Sequence, residues 1–241
     1  MKHIGIDGCK GGWIAIILEG TEMTFRIESQ IDQFQFENSF RVFIDMPMGL
    51  SSPKFPRTLE GELRNILRPH RHSSVFTPPC RTAVYASGYE EAKQLNIEQT
   101  GKSISIQAWN ISNKIKQLDR WLIGNATQFY LYFEAHPELC FFDLNGRKHL
   151  EFSKREKGNK GVEERLGILA NYFPRVESFY QEILTSTKRS TVAKDDIVDA
   201  LCLCIASKCL GENEDVPVID NAVLVDEREI PMRIVRLNEN L

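Results

Sequence analysis

Nothing in this sequence forms a Cys-x-x-Cys pair: Cys9, Cys80, Cys140, Cys202, Cys204 and Cys209 stand apart, and three of them share one apolar stretch near the C-terminus. Cysteine in such a stretch packs as a small hydrophobe. That argues against a disulfide framework, so a reduced, cytoplasmic protein is expected. No apolar run reaches membrane-spanning length, which leaves the membrane out as a partner. The N-terminus runs straight into a strand pattern, so no signal peptide is expected. Internal repeats and low-complexity segments are also missing. Charge of one sign is not in excess: 30 Lys and Arg stand against 33 Asp and Glu, a formal net charge of −3. The chain therefore has no global basic footprint for nucleic acid, although a local basic groove is compatible with this balance. What remains is an ordinary globular composition, 42% hydrophobic and 26% charged over 241 residues. This is enough for one large domain, or a domain with insertions, around a full core.

The most telling feature present is a set of carboxylates at the ends of apolar runs. Ile4-Gly5-Ile6-Asp7-Gly8 is a short apolar strand that stops on Asp. Val42-Phe43-Ile44-Asp45-Met46-Pro47 is a second, and Phe129-Tyr130-Leu131-Tyr132-Phe133-Glu134 a third. Asp195-Asp196-Ile197-Val198-Asp199 then opens an apolar helix. A buried carboxylate must be paired or bind a metal. Four such places in one chain point to a single acidic cluster of the kind that holds divalent metals for phosphate chemistry.

The periodicity predicts strands over 3–7, 12–18 and 23–28, joined by short connections into an antiparallel meander. A helix is expected over Ile31–Phe40, then a strand over Arg41–Met46 that is apolar on both faces, as an interior parallel strand would be. Residues 47–128 read as a helical insertion broken by Pro47, Pro53, Pro56, Pro69, Pro78 and Pro79, with helices at Thr58–Leu67, Gly88–Asn96 and Ser105–Ile123. A strand over Gln128–Glu134 returns to the sheet. Helices follow at Lys160–Tyr172, Pro174–Ser186 and Asp195–Leu210. In the tail, Ala222–Val225 and Arg233–Leu237 are possible short strands, and Val216–Ile219 is limited by its proline to an edge or an extended loop. This order predicts an α/β protein with a mixed sheet, 1–241 forming a single domain with its insertion at about 47–128. Ligand sites in such sheets collect at strand C-terminal ends, where Asp7, Asp45 and Glu134 all fall.

Each feature has a plainer alternative. Asp7 could simply cap the Gly8-Cys9-Lys10-Gly11-Gly12 turn. Those glycines suit close approach to a phosphate, with Lys10 as an anion contact, or only a hairpin. Asp45 could be solvated beside Pro47. Glu134, His136 and Glu138 would share a face if the segment stays extended, giving a metal site with a His ligand. Alternatively His136 orients a loop and Glu138 starts a helix. Asp195 and Asp196 suit the first turn of a helix, where they oppose its macrodipole. Asp199 lies a turn deeper and shares a face with Asp196. Arg57, Arg64, Arg68 and Arg71 follow at spacings of seven, four and three, one helical face until Pro69 ends the helix. That face is either solvated or a phosphate-backbone groove. Lys154-Arg155 through Lys160, with Gly158 and Gly161, reads as a mobile basic loop. Trp109, amid Gln107-Ala108-Trp109-Asn110, reads as core.

Taken together, Gly5-Ile6-Asp7-Gly8-Cys9-Lys10-Gly11-Gly12-Trp13, Ile44-Asp45-Met46-Pro47-Met48-Gly49-Leu50, Ser74-Val75-Phe76-Thr77-Pro78-Pro79, Gln107-Ala108-Trp109-Asn110-Ile111, Glu134-Ala135-His136-Pro137-Glu138 and Asp195-Asp196-Ile197-Val198-Asp199-Ala200 carry a resemblance. The chain resembles the predicted ribonuclease-H-like nucleases of the domain of unknown function 429 family. The resemblance implies a ribonuclease-H-like fold and a nuclease-type acidic site, similar to that of Holliday-junction resolvases. It implies two Mg²⁺ or Mn²⁺ ions about 4 Å apart. They would be held by Asp7, Asp45, Asp196 and Asp199, with Glu134 as an extra acid and Asp rather than Glu on the fourth strand. Lys10, Arg57, Arg64 and Arg68 would hold phosphates of a nucleic-acid partner. Two other functions stay open beside this hydrolase: an actin- or sugar-kinase-like phosphotransferase, for which no second Gly-rich loop is found, and a non-catalytic binding protein.

Overall fold

The computed structural model describes residues 1–36, 40–126, 128–154, 156–211 and 215–238. In chain order it contains β1 (Lys2–Cys9), β2 (Gly12–Glu19), β3 (Glu22–Glu28) and β4 (Phe40–Ile44). Helices α1 (Leu59–Ile66), α2 (Arg81–Val84), α3 (Tyr89–Thr100) and α4 (Ile106–Gly124) follow. Then come β5 (Tyr132–Glu134), α5 (Pro137–Leu144), α6 (Lys160–Ala170), α7 (Val176–Ser186), α8 (Lys194–Cys209), β6 (Val218–Val225) and β7 (Pro231–Val235). The protein is of the expected α/β class, with parallel and antiparallel strand pairs, consistent with a ribonuclease-H-like fold.

The chain forms two compact units. The first comprises Met1–Asp45, Leu131–Val218 and Val235–Leu241; the second comprises Met46–Tyr130 and Ile219–Ile234. The helical insertion is thus the body of the second unit, which the tail residues 219–234 also join. Sequence alone gave no sign of that return, because a strand pattern does not say which unit it completes.

In the first unit the strands run in the order β3-β2-β1-β4-β5. The antiparallel meander of β1, β2 and β3 is present as expected. The β1–β4 and β4–β5 pairs are parallel. All five residues of β4 are buried, which is why its pattern is apolar on both faces. The helix expected over Ile31–Phe40 is not there: a single 3-10 turn covers Ile31–Gln33, residues 37–39 lie outside the described residues, and Phe40 already belongs to β4. Phe34 and Phe36 instead stack on each other with ring centroids 5.8 Å apart. Aromatic stacking takes the place of the inward helical face. The strand expected from Gln128 shrinks to Tyr132–Glu134, preceded by a 3-10 turn.

Helix α8 is buried all round from Ile197 to Ser207, mostly by apolar residues, as befits a helix enclosed on all sides. It lies directly on β1. A Cβ on Gly5 would collide with the Ala200 carbonyl oxygen and the Cys204 backbone nitrogen, so only glycine allows this approach. Ser207 Oγ meets His3 Nδ1 at 3.2 Å, and the Gly11 N–H donates to the Thr191 carbonyl at 2.8 Å. Ascending β1 therefore means descending the α8 segment, and the two elements run antiparallel. The first turns of α8 lie beside the C-terminal end of β1.

In the second unit, Ser105 caps α4 by accepting the Ala108 N–H at 3.1 Å, and Gly101 ends α3 at φ 71°. Cys80, Ala83, Ala92 and Ile104 make a small core, against which Trp109 packs half-buried. All six cysteines are free thiols. Among the described residues, no helix is long and apolar enough to cross a membrane.

Candidate functional site

The register of the parallel strands decides which strand-end carboxylates meet. Ile6 pairs with Ile44, and Ile44 with Glu134. Asp7 and Asp45 each follow by one residue, and the Asp45 N–H donates to the Ile6 carbonyl at 3.0 Å. Side chains alternate along a strand, so Asp7 and Asp45 leave on the face of Gly5, the face that α8 covers. The antiparallel run of α8 brings Asp196 and Asp199 to the same end. Glu134, in register with the isoleucines, has its Cβ on the opposite face. Its charge still acts on Asp45.

The electrostatics report the convergence. Asp7 is buried, and burial raises its pKa well above the ordinary carboxylate range; the charges of Asp45, Asp199 and Asp196 raise it further, with Lys154 opposing. Burial first, then Asp199, pushes Asp45 up to about 8. Asp199 is raised as well, by burial, against the pull of Lys154. The four carboxylates that the sequence placed on β1, β4 and α8 thus share one site, and they repel one another in it. Asp196 also has a local duty: its Oδ2 accepts the Ala193 N–H at 2.8 Å, capping α8. Asp7 Oδ1 accepts the Gly8 N–H at 2.7 Å.

Three residues outside the expected ligand set complete the site. The chain does not stay extended after Glu134. It turns at His136 into α5, with Pro137 as first helical residue, so the alternating Glu134, His136 and Glu138 face does not form. Glu138, in the first turn of α5, is buried and bonds Arg165 Nη2 at 2.7 Å. The Lys154 ammonium lies 2.5 Å from Asp199 Oδ2 and 3.7 Å from Glu138 Oε1. Burial works against that ammonium, but Asp199, Glu138 and Asp45 together raise its pKa above the usual lysine value. Burial also opposes ionisation of Glu138, yet Lys154 and Arg165 prevail and its pKa falls below the ordinary value. Sequence held one clue to Arg165: it sits three residues after Val162 and one before Leu166, on the inward face of α6, and only 1% of it is exposed. Lys154 had no such clue. Its neighbour Arg155 lies outside the described residues.

The Gly8–Gly12 stretch is the β1–β2 hairpin, with Lys10 and Gly11 at its tip. Its glycines have packing reasons: Gly11 abuts Thr191, and Gly12, at φ 132°, backs onto the Glu28 and Ser29 backbone. Lys10 is exposed there. The expected arginine face is divided. Arg57 precedes α1, and its side chain is 2% exposed, bonded to Glu60 at 2.7 Å and to the Met48 and Gly49 carbonyls. Arg64 reaches the Val75 carbonyl and Thr77 Oγ1, and Arg68, beyond the end of α1, is exposed. Only Arg64 of the three lies within α1, so helical spacing does not align them.

A divalent metal suits the donor chemistry of this site. The converging groups are carboxylate oxygens, the ligands of hard cations. Asp199 Oδ1 is buried and has no hydrogen-bond partner. Among the described residues, no group of three or more His, Cys, Asp or Glu side chains is placed to hold a metal ion.

No curated protein and no solved structure matches the chain. A family model does match, described as protein of unknown function (DUF429), over residues 5–222, a span that holds every carboxylate of the cluster. The chain belongs to the DUF429 family.

Proposed function

We propose that this protein is a metal-dependent phosphodiesterase acting on nucleic acid, with Asp7, Asp45, Asp196 and Asp199 holding Mg²⁺ or Mn²⁺. The observation that supports this reading is the repulsion among buried Asp7, buried Asp199 and half-buried Asp45 in one site. A purely structural cluster would be matched by donors; this one is short of positive charge, and a divalent cation supplies it. Such a cation would supply Lewis acidity, which lowers the pKa of a bound water and offsets charge on a phosphate. The chain's own residues arrange the rest. Asp7 and Asp45, fixed by neighbouring parallel strands, bind from the sheet. Asp196 and Asp199 bind from α8. Arg165 and Lys154 hold Glu138 ionised and oriented at the edge of the site. Each unit offers its own cations to a phosphate, the exposed Lys10 in the first and Arg64 with the exposed Arg68 in the second.

The experiment is a scan of the purified protein against single-stranded, duplex, hybrid and junction substrates, with Mg²⁺ or Mn²⁺. Cleavage of at least one class, abolished by EDTA and by Asp7→Asn, is expected. No cleavage of any substrate at high enzyme concentration counts against the reading.

A further inference from the structure

Lys154 is not loosely placed. The loop that carries it is pinned to α6 at several points. Glu164 accepts the backbone N–H groups of Glu151 and Phe152 at 2.7 and 2.9 Å through its two carboxylate oxygens. Arg165 Nη1 donates to the Phe152 carbonyl at 3.2 Å and to the Gly161 carbonyl at 2.9 Å. Gly161 leaves room for the loop: a Cβ there would collide with the Ser153 carbonyl oxygen and come within 3.2 Å of the Lys154 Cα. Three residues of α6 thus deliver one ammonium to one place, against Asp199 and Glu138. The same Asp199 keeps its other oxygen, Oδ1, buried and unpartnered. One carboxylate oxygen is therefore taken by a resident cation, while its twin is left for another.

We propose that Lys154 is the site's built-in second cation, so that the cluster takes one divalent ion rather than two. This inference rests on the metal reading above and specifies its stoichiometry. Geometry supports it: the ammonium occupies Asp199 Oδ2 and lies beside Glu138, so that only Oδ1 of Asp199 is left for an added ion. The ion binds on the Asp7, Asp45 and Asp199 Oδ1 side. Lys154 stays on Asp199 Oδ2 and Glu138, as a positioning residue that fixes the orientation of the shared ligand.

The test is Mn²⁺ stoichiometry, by calorimetry and by paramagnetic resonance of free Mn²⁺, on wild type, Lys154→Met and Lys154→Arg. Methionine keeps much of the aliphatic stem and arginine keeps the charge. Wild type and Lys154→Arg should bind one Mn²⁺, and Lys154→Met two. Two ions in wild type would overturn the inference and leave the metal reading standing. One ion in Lys154→Met at unchanged affinity would also overturn it. No Mn²⁺ bound to wild type would overturn both. Should Lys154→Met fail to fold, the wild-type stoichiometry decides alone.

Discussion

Two groups of buried acids, one in each unit, are handled in opposite ways. In the second unit Asp119 and Asp226 converge on Arg81, whose Nη2 lies 2.8 Å from Asp119 Oδ1 and 2.5 Å from Asp226 Oδ2. Tyr85 gives Asp119 a further bond at 2.9 Å, and Asp226 accepts the N–H groups of Leu50, Arg228 and Ile230. Both carboxylates are matched by donors, the arrangement that a buried charge needs to hold a fold together. In the first unit Asp7, Asp45 and Asp199 have one ammonium close by, and burial and neighbouring carboxylates raise all three pKa values. The contrast separates structure from function. A cluster that satisfies itself serves stability; a cluster that fails to do so costs stability and is kept for what it binds.

The largest effect should come from breaking the satisfied cluster. Arg81→Met strands two buried carboxylates and should cost about 3–5 kcal/mol in urea unfolding, with Mn²⁺ binding by the folded protein unchanged. A cost below about 1 kcal/mol would erase the distinction between the two groups. The reverse should hold in the first unit. Asp7→Asn relieves repulsion and should raise metal-free stability, by about 0.5–2 kcal/mol, while removing cleavage. A marked loss of metal-free stability would make Asp7 a cap for Gly8 and nothing more.

These two experiments bear on features of unequal visibility in the sequence. Asp7, Asp45 and Asp199 were legible because an apolar strand that stops on a carboxylate, or a buried helix that carries one, contradicts its own pattern. The meander of β1 to β3 was legible from alternation and short connections. Three helices of the insertion were legible within a few residues: Pro56 and Pro69 flank α1, and Gly88 and Ser105 precede α3 and α4, while the short α2 was not foreseen. Over the described residues of 31–40 a 3-10 turn replaces the expected helix, since Phe34, Phe36 and Phe40 serve aromatic packing as well as an inward helical face. Glu134 looked equivalent to Asp45, but register is a property of strand pairing, and one residue moves a side chain to the other face. Lys154 was hidden because its partners lie in distant segments, Glu138 on α5 and Asp199 on α8, with Asp45 after β4 acting on it as well. Arg57 read as a surface cation because sequence does not show the Met48 and Gly49 carbonyls it satisfies.

A pH series sharpens the comparison next. Carboxylates of the unfolded chain ionise near pH 4. In the folded protein Asp7 and Asp199 titrate above that, and Asp45 at about 8. Between those limits the folded state binds more protons than the unfolded. The aspartates' contribution to metal-free stability is therefore full below about pH 4 and is lost as pH rises towards about 8. Glu138, with its lowered pKa, acts in the other sense, and its contribution is lost only as pH falls below about 4. Saturating Mg²⁺ or Mn²⁺ should lift stability at the high end and flatten the profile. A metal-free melting temperature that climbs from pH 5 to pH 8 contradicts the repulsive cluster.

The smallest effect concerns the second unit's arginines. Replacing Arg64 and Arg68 together with alanine should lower the slope of log K against log salt by about 1–2 for labelled DNA or RNA, measured in Ca²⁺ to suppress cleavage. Arg57→Ala should instead act on stability, through its lost bonds to Glu60 and the two carbonyls. Salt curves identical to wild type for the double variant would leave the polyanion without a surface in that unit.

The central claim, that the acids of the first unit are a cation site, is tested most directly by a crystal of the wild-type protein soaked in Mn²⁺ and examined by anomalous diffraction. The account predicts one peak within about 2.0–2.6 Å of carboxylate oxygens from Asp7, Asp45 and Asp199, with Lys154 still against Glu138. A saturated crystal with no peak among these carboxylates would contradict it.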